Sequence, residues 1–348
     1  MVIHYNMRVF TAIMFVMLNF FTSLVHSAVT DDQCNFPHFN SRPLAQEGHT
    51  EVRVGIFVIN IQDVDEHKGT YTVDFHLWSE WNDPRLVHQG SEDICVLTLD
   101  DVWDPNIRLD DQHHVVKGND DNVYIYPNGK VIYRQRFTGE LISTSDISDF
   151  PFDSRTLSIS FIAVGYSPAE VHLVVDTAHS GRARLFSISN WSIGQGKPQI
   201  GEFEVYAGKH FARFDFNFES TRRFTYFIWS AVVPLFIIIL MSWGVFWINP
   251  KELGAQLGLA AMAMLTLTTY RFTLANILPP VSYLTRMDIF VLGASLLIFL
   301  ALSEAILTGT LASRGKEEIA IKLDYISRYI FPLTFIILTV CTFMLGYD

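Results

Sequence analysis

Downstream of Arg223 the chain contains four long stretches almost free of charge. Residues 224–248, 289–303 and 329–347 carry no Asp, Glu, Lys or Arg, and 253–278 carries only Arg271. Roughly 20 apolar residues in a helix cross a ~30 Å hydrocarbon core, where every backbone polar group must be bonded internally. The pattern predicts four spans, over 224–248, 252–277, 281–308 and 322–346, in an all-α membrane domain of residues 224–348.

The preceding part reads differently. Residues 29–223 are polar and rich in β-branched and aromatic residues. Alternating runs such as "EVRVGIFVI", "GTYTVDFHLW", "NVYIYPNGKVIYRQRF", "RTLSISFIAV", "EVHLVV" and "EFEVYA" are separated by turn signals. Short alternating strands at this spacing predict an antiparallel, Ig-like β-sandwich. "YPNGK" predicts a hairpin turn, because Asn-Gly tolerates positive φ. Residues 1–28 read as an export signal, with Arg8, an apolar core over 9–25 and the small residues Ser27 and Ala28 before the cut. Export followed by four spans places both termini outside. The connection between the third and fourth spans, 309–323, then lies inside with Arg314, Lys316 and Lys322, as the positive-inside rule expects.

The formal net charge of −11 argues against a nucleic-acid partner, which requires a basic surface. After removal of the signal, Cys34, Cys95 and Cys341 remain. Cys34 and Cys95 stand either as a disulfide or as two reduced thiols, and spacing does not decide. The adjacent His113 and His114 do not form a zinc spacing. The acidic pairs Asp100–Asp101, Asp110–Asp111 and Asp120–Asp121 read as solvated loop charge first and as calcium ligands second. No nucleophile elbow, zinc-protease helix or phosphate loop is present, and no cofactor is implied.

Several stretches resemble the pentameric ligand-gated ion channels of the Cys-loop receptor superfamily, in particular its bacterial branch. "TYTVDFHLWSEWNDPRL" (70–86) is similar to the family's second strand, ending at Trp81, Asp83, Arg85 and Leu86. "VWDPNIRL" (102–109) resembles its loop A, and "SDFPFDSRTLSISF" (148–161) its signature loop. Ser143 and Leu157 occupy the positions that carry that loop's paired cysteines in animal receptors. Arg222 matches the arginine ahead of the first span, and "ANILPP" (275–280) the end of the pore helix. The resemblance covers the mature chain in the family's order. It implies a homopentamer in a lipid bilayer, opened by a small-molecule agonist or by protons and permeable to monovalent ions.

Within the second span, Gly258, Met262, Leu265, Thr269, Phe272 and Asn276 fall on one helical stripe within about 40° of its centre. Repeated around an axis, that stripe lines a pore. Leu265 lies midway, where the resemblance places an apolar constriction able to close by dewetting. Met262 and Gly258 replace the more polar residues common in the family. The family's inner-mouth carboxylate position falls on Gly254, which leaves Glu252 as the selectivity candidate. Arg271 lies roughly 140° from the stripe and needs a carboxylate, for which Asp288 is nearest in sequence, or an outward snorkelling route. Between 29 and 223 there are 29 acidic and 17 basic residues, which favours cations near the outer mouth.

The resemblance further implies agonist positions at His76, Tyr133, Gln135, Val164, Tyr166, Tyr206, His210 and Phe211, for each of which strand packing is an equal reading. This set lacks the aromatic cluster that holds a quaternary amine. A coupling cluster between the two domains is expected from Asp65, Glu66, Asp153 and Arg222. Two other classes fit the same organisation. One is a ligand-binding sandwich anchored by helices that conduct nothing. The other is an exported enzyme with a membrane tail, against which the lack of a catalytic set argues.

Overall fold

The computed structural model describes residues 34–43, 48–88, 94–110, 112–143, 146–206, 208–275 and 281–344. The signal segment 1–28 and the stripe residue Asn276 lie outside the described residues.

Twelve strands form the first domain: β1 (Thr50–Asp65), β2 (Thr70–Asn82), β3 (Cys95–Thr98), β4 (Ile107–Leu109), β5 (Gln112–Lys117), β6 (Asn122–Ile125), β7 (Lys130–Ile142), β8 (Ser154–Ala163), β9 (Val171–Val175), β10 (Gly181–Arg182), β11 (Trp191–Tyr206) and β12 (Lys209–Arg222). One sheet runs β10-β1-β2-β7-β6-β3, with β5 added on β7 and β9 on β1, and the other runs β11-β12-β8-β4. Alternation decides the inner faces. Phe214, Phe216 and Phe218 of β12 are fully buried between the sheets, against a core that includes Phe75, Trp103 and Phe161. Burying each such ring is worth about 1.5–3 kcal/mol.

The sandwich is not purely antiparallel. β9 and β10 both pair with β1 in parallel, Thr50 opposite Val171 and Phe57 opposite Gly181. The chain leaves β8 in the four-stranded sheet and crosses the sandwich before pairing, and a crossover is what parallel pairing requires. A turn forms at 126–130 as expected, but of the Asn-Gly pair only the glycine takes positive φ. Gly129 sits at φ +80°, its N–H donates to the Tyr126 carbonyl, and an added Cβ would stand 2.6 Å from the Asp83 carbonyl oxygen. Cys34 and Cys95 form a disulfide, with Cα atoms 5.5 Å apart, that staples the segment before β1 to β3.

Four helices follow: α1 (Thr225–Trp247), α2 (Leu253–Ala275), α3 (Arg286–Ser313) and α4 (Glu317–Phe343), each long and apolar enough to cross a membrane. Three boundaries differ most from the sequence expectation, the third being the end of α3 at Ser313 rather than 308. α3 starts at Arg286 rather than 281, because Thr285 and Asp288 close a reciprocal capping box there. α4 starts at Glu317 rather than 322, so the α3–α4 connection shrinks to residues 314–316.

Prolines inside two helices explain two cross-helix contacts. Pro234 has no N–H to offer the Ser230 carbonyl one turn earlier, and residues Ile228–Val232 widen into a π-turn. The Tyr270 hydroxyl of α2 bonds the Ser230 and Ala231 carbonyls at 3.0 and 2.8 Å. Pro332 of α4 likewise frees the Arg328 carbonyl, which accepts from Trp243 Nε1 of α1 at 3.1 Å.

Candidate functional site

The sandwich meets the helix bundle around one buried arginine. Arg222, the last residue of β12, grips Asp153 of the signature loop with two bonds, Nε to Oδ1 at 2.6 Å and Nη2 to Oδ2 at 3.0 Å. Its Nη1 reaches Glu66 at 2.8 Å, in the turn between β1 and β2. Arg155 reaches the same Asp153 carboxylate at 3.2 Å. Burial draws the Arg155 guanidinium below its ordinary value, and Asp153 opposes that shift. The rings of Trp191, Phe150 and Phe227 lie 4.3, 4.9 and 5.4 Å from the Arg222 guanidinium. Phe227 belongs to α1, so the cation touches both domains.

Three of the four expected members meet. Asp65 does not: its Oδ1 accepts from the backbone N–H groups of His67 and Lys68 at 3.0 Å, and its carboxylate also pairs with the Lys68 ammonium. Those bonds, the Lys68 backbone N–H above all, hold its carboxyl below the usual value. An Asx turn is the nearest demand on an Asp that opens a hairpin.

A second seam was not foreseen. Arg286 at the start of α3 pairs with Asp149 (Nε to Oδ1, 2.7 Å), and its backbone N–H donates to the Ser148 carbonyl at 2.9 Å. The Ile147 N–H donates to the Tyr283 hydroxyl oxygen at 3.0 Å. Ile147 and Phe150 are buried among side chains of α1 and α3. One signal was available. An arginine at a helix N-terminus opposes the macrodipole, and so calls for a carboxylate nearby.

On α2, the face built from Gln256, Ala260, Ala263, Leu267 and Leu274 is buried against the other helices. Gly258, Met262, Leu265, Thr269 and Phe272 are exposed on the protomer, Leu265 by 63 % and Phe272 by 72 %. The Thr269 and Thr266 hydroxyls donate to the carbonyls of Leu265 and Met262 one turn below, which lowers the polarity they present outward. Glu252 is exposed immediately before the helix. Asp288 is committed to the Thr285 cap, so the suggested pairing with Arg271 does not form.

The agonist candidates separate by strand phase. Tyr133 and Gln135 point inward. The Tyr133 hydroxyl donates to Asp121 at 2.5 Å, and the Gln135 amide donates to the same carboxylate at 2.9 Å. Burial, reinforced by Asp121, pushes the Tyr133 phenol above its ordinary value. Side chains on β7 alternate faces, so the outward positions are the neighbours Arg134 and Arg136. Arg136 pairs with Asp74 at 2.6 Å beside the exposed His76. Arg134 stacks on Trp78 at 4.1 Å, and His179 covers a Trp78 face at 3.7 Å and 6°. Val164 and Tyr166 line a cavity of about 450 Å³ with Trp103, Asp104 and Asn106. Trp103 Nε1 donates to the Tyr166 hydroxyl at 2.9 Å, and burial raises the Asp104 carboxyl. Tyr206, His210 and Phe211 are on the β11–β12 hairpin and do not line that cavity, although the neighbouring Ala212 N–H donates to the Tyr166 carbonyl at 3.4 Å.

Comparison with known proteins agrees with this organisation. A family model described as the neurotransmitter-gated ion-channel ligand binding domain matches residues 32–223. A second, the neurotransmitter-gated ion-channel transmembrane region, matches 231–321. The chain is 25% identical over 292 residues to a gamma-aminobutyric acid receptor subunit beta of Lymnaea stagnalis, an alignment covering 77% of this chain and 56% of that relative. The chain therefore spans little more than half the length of that curated relative.

Proposed function

Because the chain belongs to the neurotransmitter-gated ion-channel family, we propose that it is a subunit of a homopentameric ligand-gated ion channel whose pore is lined by α2. The observation that carries this reading is the division of α2 into a buried rear face and an exposed stripe of Gly258, Met262, Leu265, Thr269 and Phe272. A helix of spanning length that leaves this stripe uncovered in the protomer finds its partner in copies of itself around an axis. Rings of Leu265 and Phe272 close the pore by excluding water.

The pore passes monovalent cations. The excess of acidic over basic residues between 29 and 223 and the exposed Glu252 at the inner mouth support that sign. Ser143 and Leu157 at the flanking positions of the signature loop support membership of the branch without that disulfide, the bacterial one. Arg222, Asp153 and Glu66 transmit agonist binding to α1. The agonist is a small molecule or a proton rather than a quaternary amine. Trp78 already carries its own subunit's Arg134 over the ring and His179 stacked on it, which leaves it little free face for a ligand's cation.

Recording from purified protein in planar bilayers tests the reading. Unitary currents whose reversal potential follows the cation gradient are expected, with selectivity that weakens as salt rises. A reversal potential that follows chloride overturns the selectivity, and a stable monomer in mild detergent overturns the pore.

A further inference from the structure

Two carboxyl groups lie buried against each other at the end of the bundle remote from the sandwich. Glu304 is on α3 and Asp324 on α4, within hydrogen-bonding reach of one another. Asp324 is 1 % exposed and Glu304 is half-buried. None of their four carboxyl oxygens receives a hydrogen bond from a described residue.

Most of the polar groups around the pair hold partners of their own. Thr308 of α3 donates its hydroxyl to the Glu304 backbone carbonyl at 3.0 Å. Gln256 of α2, fully buried beside Asp324, donates its amide to the Ile248 carbonyl at 3.1 Å, and its Oε1 is also unpartnered. Arg328 of α4 directs Nε to the Phe246 carbonyl at 2.9 Å and lies over Trp247 at 4.6 Å. Lys251, before α2, pairs with Glu317 at 2.8 Å. Ser327 of α4 contributes the remaining hydroxyl beside Glu304. Two ionised carboxylates this close repel strongly, and sharing one positive charge relieves the repulsion.

We infer that Glu304 and Asp324 bind one proton between them, as a carboxylic acid hydrogen-bonded to a carboxylate, and that this bond latches α3 to α4 behind the first turn of α2. The proton is taken from water and returned to it; one O–H bond forms and no other bond changes. Gln256 carries the consequence to α2, since its side chain touches Asp324 and its amide anchors the end of α1. The inference rests on helix contacts and is independent of whether the assembly conducts.

The test uses the purified full-length chain in detergent micelles without agonist. Infrared spectroscopy at neutral pH is expected to show a protonated-carboxyl C=O band in the wild type, and loss of that band in Glu304→Gln and in Asp324→Asn. Each amide replaces the shared proton with a donor of the same shape, so thermal unfolding of both variants is expected to be flatter with pH than that of the wild type. Absence of the band in the wild type, or its persistence in both variants, overturns the proposal. So does a calcium-dependent rise in the wild-type unfolding temperature that both variants lose, since a metal ion would then occupy the site. If one variant does not fold, the wild-type band and the other variant still decide.

Discussion

Arg222 and Asp153 form a two-pronged ion pair at the junction of sandwich and bundle, with side chains 3 % and 1 % exposed. A guanidinium matches a carboxylate in this geometry better than an ammonium does. Removing one partner of a buried pair leaves an uncompensated charge and costs about 3–5 kcal/mol. Arg222→Ala is therefore expected to abolish assembly or currents. In the swap, Arg222→Asp alone should be silent and adding Asp153→Arg should restore part of the surface-expressed current. Asp65→Asn should behave as wild type in the same assay, because Asp65 serves only its own turn. Normal gating in Arg222→Ala would sink the coupling role.

Leu265→Ser should favour the open state. The side chain is exposed on the protomer, so subunit stability should change by no more than about 0.5 kcal/mol, while wetting of the constriction becomes easier. The check is the activation curve, which should shift toward lower stimulus. An unchanged curve would move the gate to Phe272 or Met262.

Tyr270→Phe tests the proline-linked contact between α1 and α2. It strips the Ser230 and Ala231 carbonyls of their shared donor and should cost about 1–3 kcal/mol if no water replaces it. A lowered unfolding temperature is expected, with near-normal values in Pro234→Ala/Tyr270→Phe, where the restored backbone N–H can serve Ser230.

Breaking the Cys34–Cys95 disulfide should destabilise the sandwich. The cysteines are 61 positions apart in sequence, and a loop of that size corresponds to about 4 kcal/mol in the chain-entropy description. Cys34→Ser/Cys95→Ser should unfold at lower temperature than the wild type, and reductant should lower only the wild type. Identical unfolding of both proteins would show that the bond contributes nothing.

The division into sandwich and four spans was written in the sequence, because hydrocarbon length and strand alternation are local patterns. The stripe on α2 was legible for the same reason, since its angular order depends only on helical geometry, and burial of Gln256, Ala260, Ala263, Leu267 and Leu274 falls opposite it. Arg222, Asp153 and Glu66 could be brought together only through an inherited pattern of loops. Their contact spans distant parts of the chain, and the placement of Asp65 failed because a nearby turn competed for its carboxylate. The fold alone decided which residues of β7 face outward. A one-residue change of phase exchanges Tyr133 and Gln135 for Arg134 and Arg136, and β-sheet register is set by partners remote in sequence. Tertiary structure likewise decided the Cys34–Cys95 bond, the parallel pairings of β1 and the meeting of Glu304 with Asp324. Each joins segments whose approach depends on how the whole chain packs.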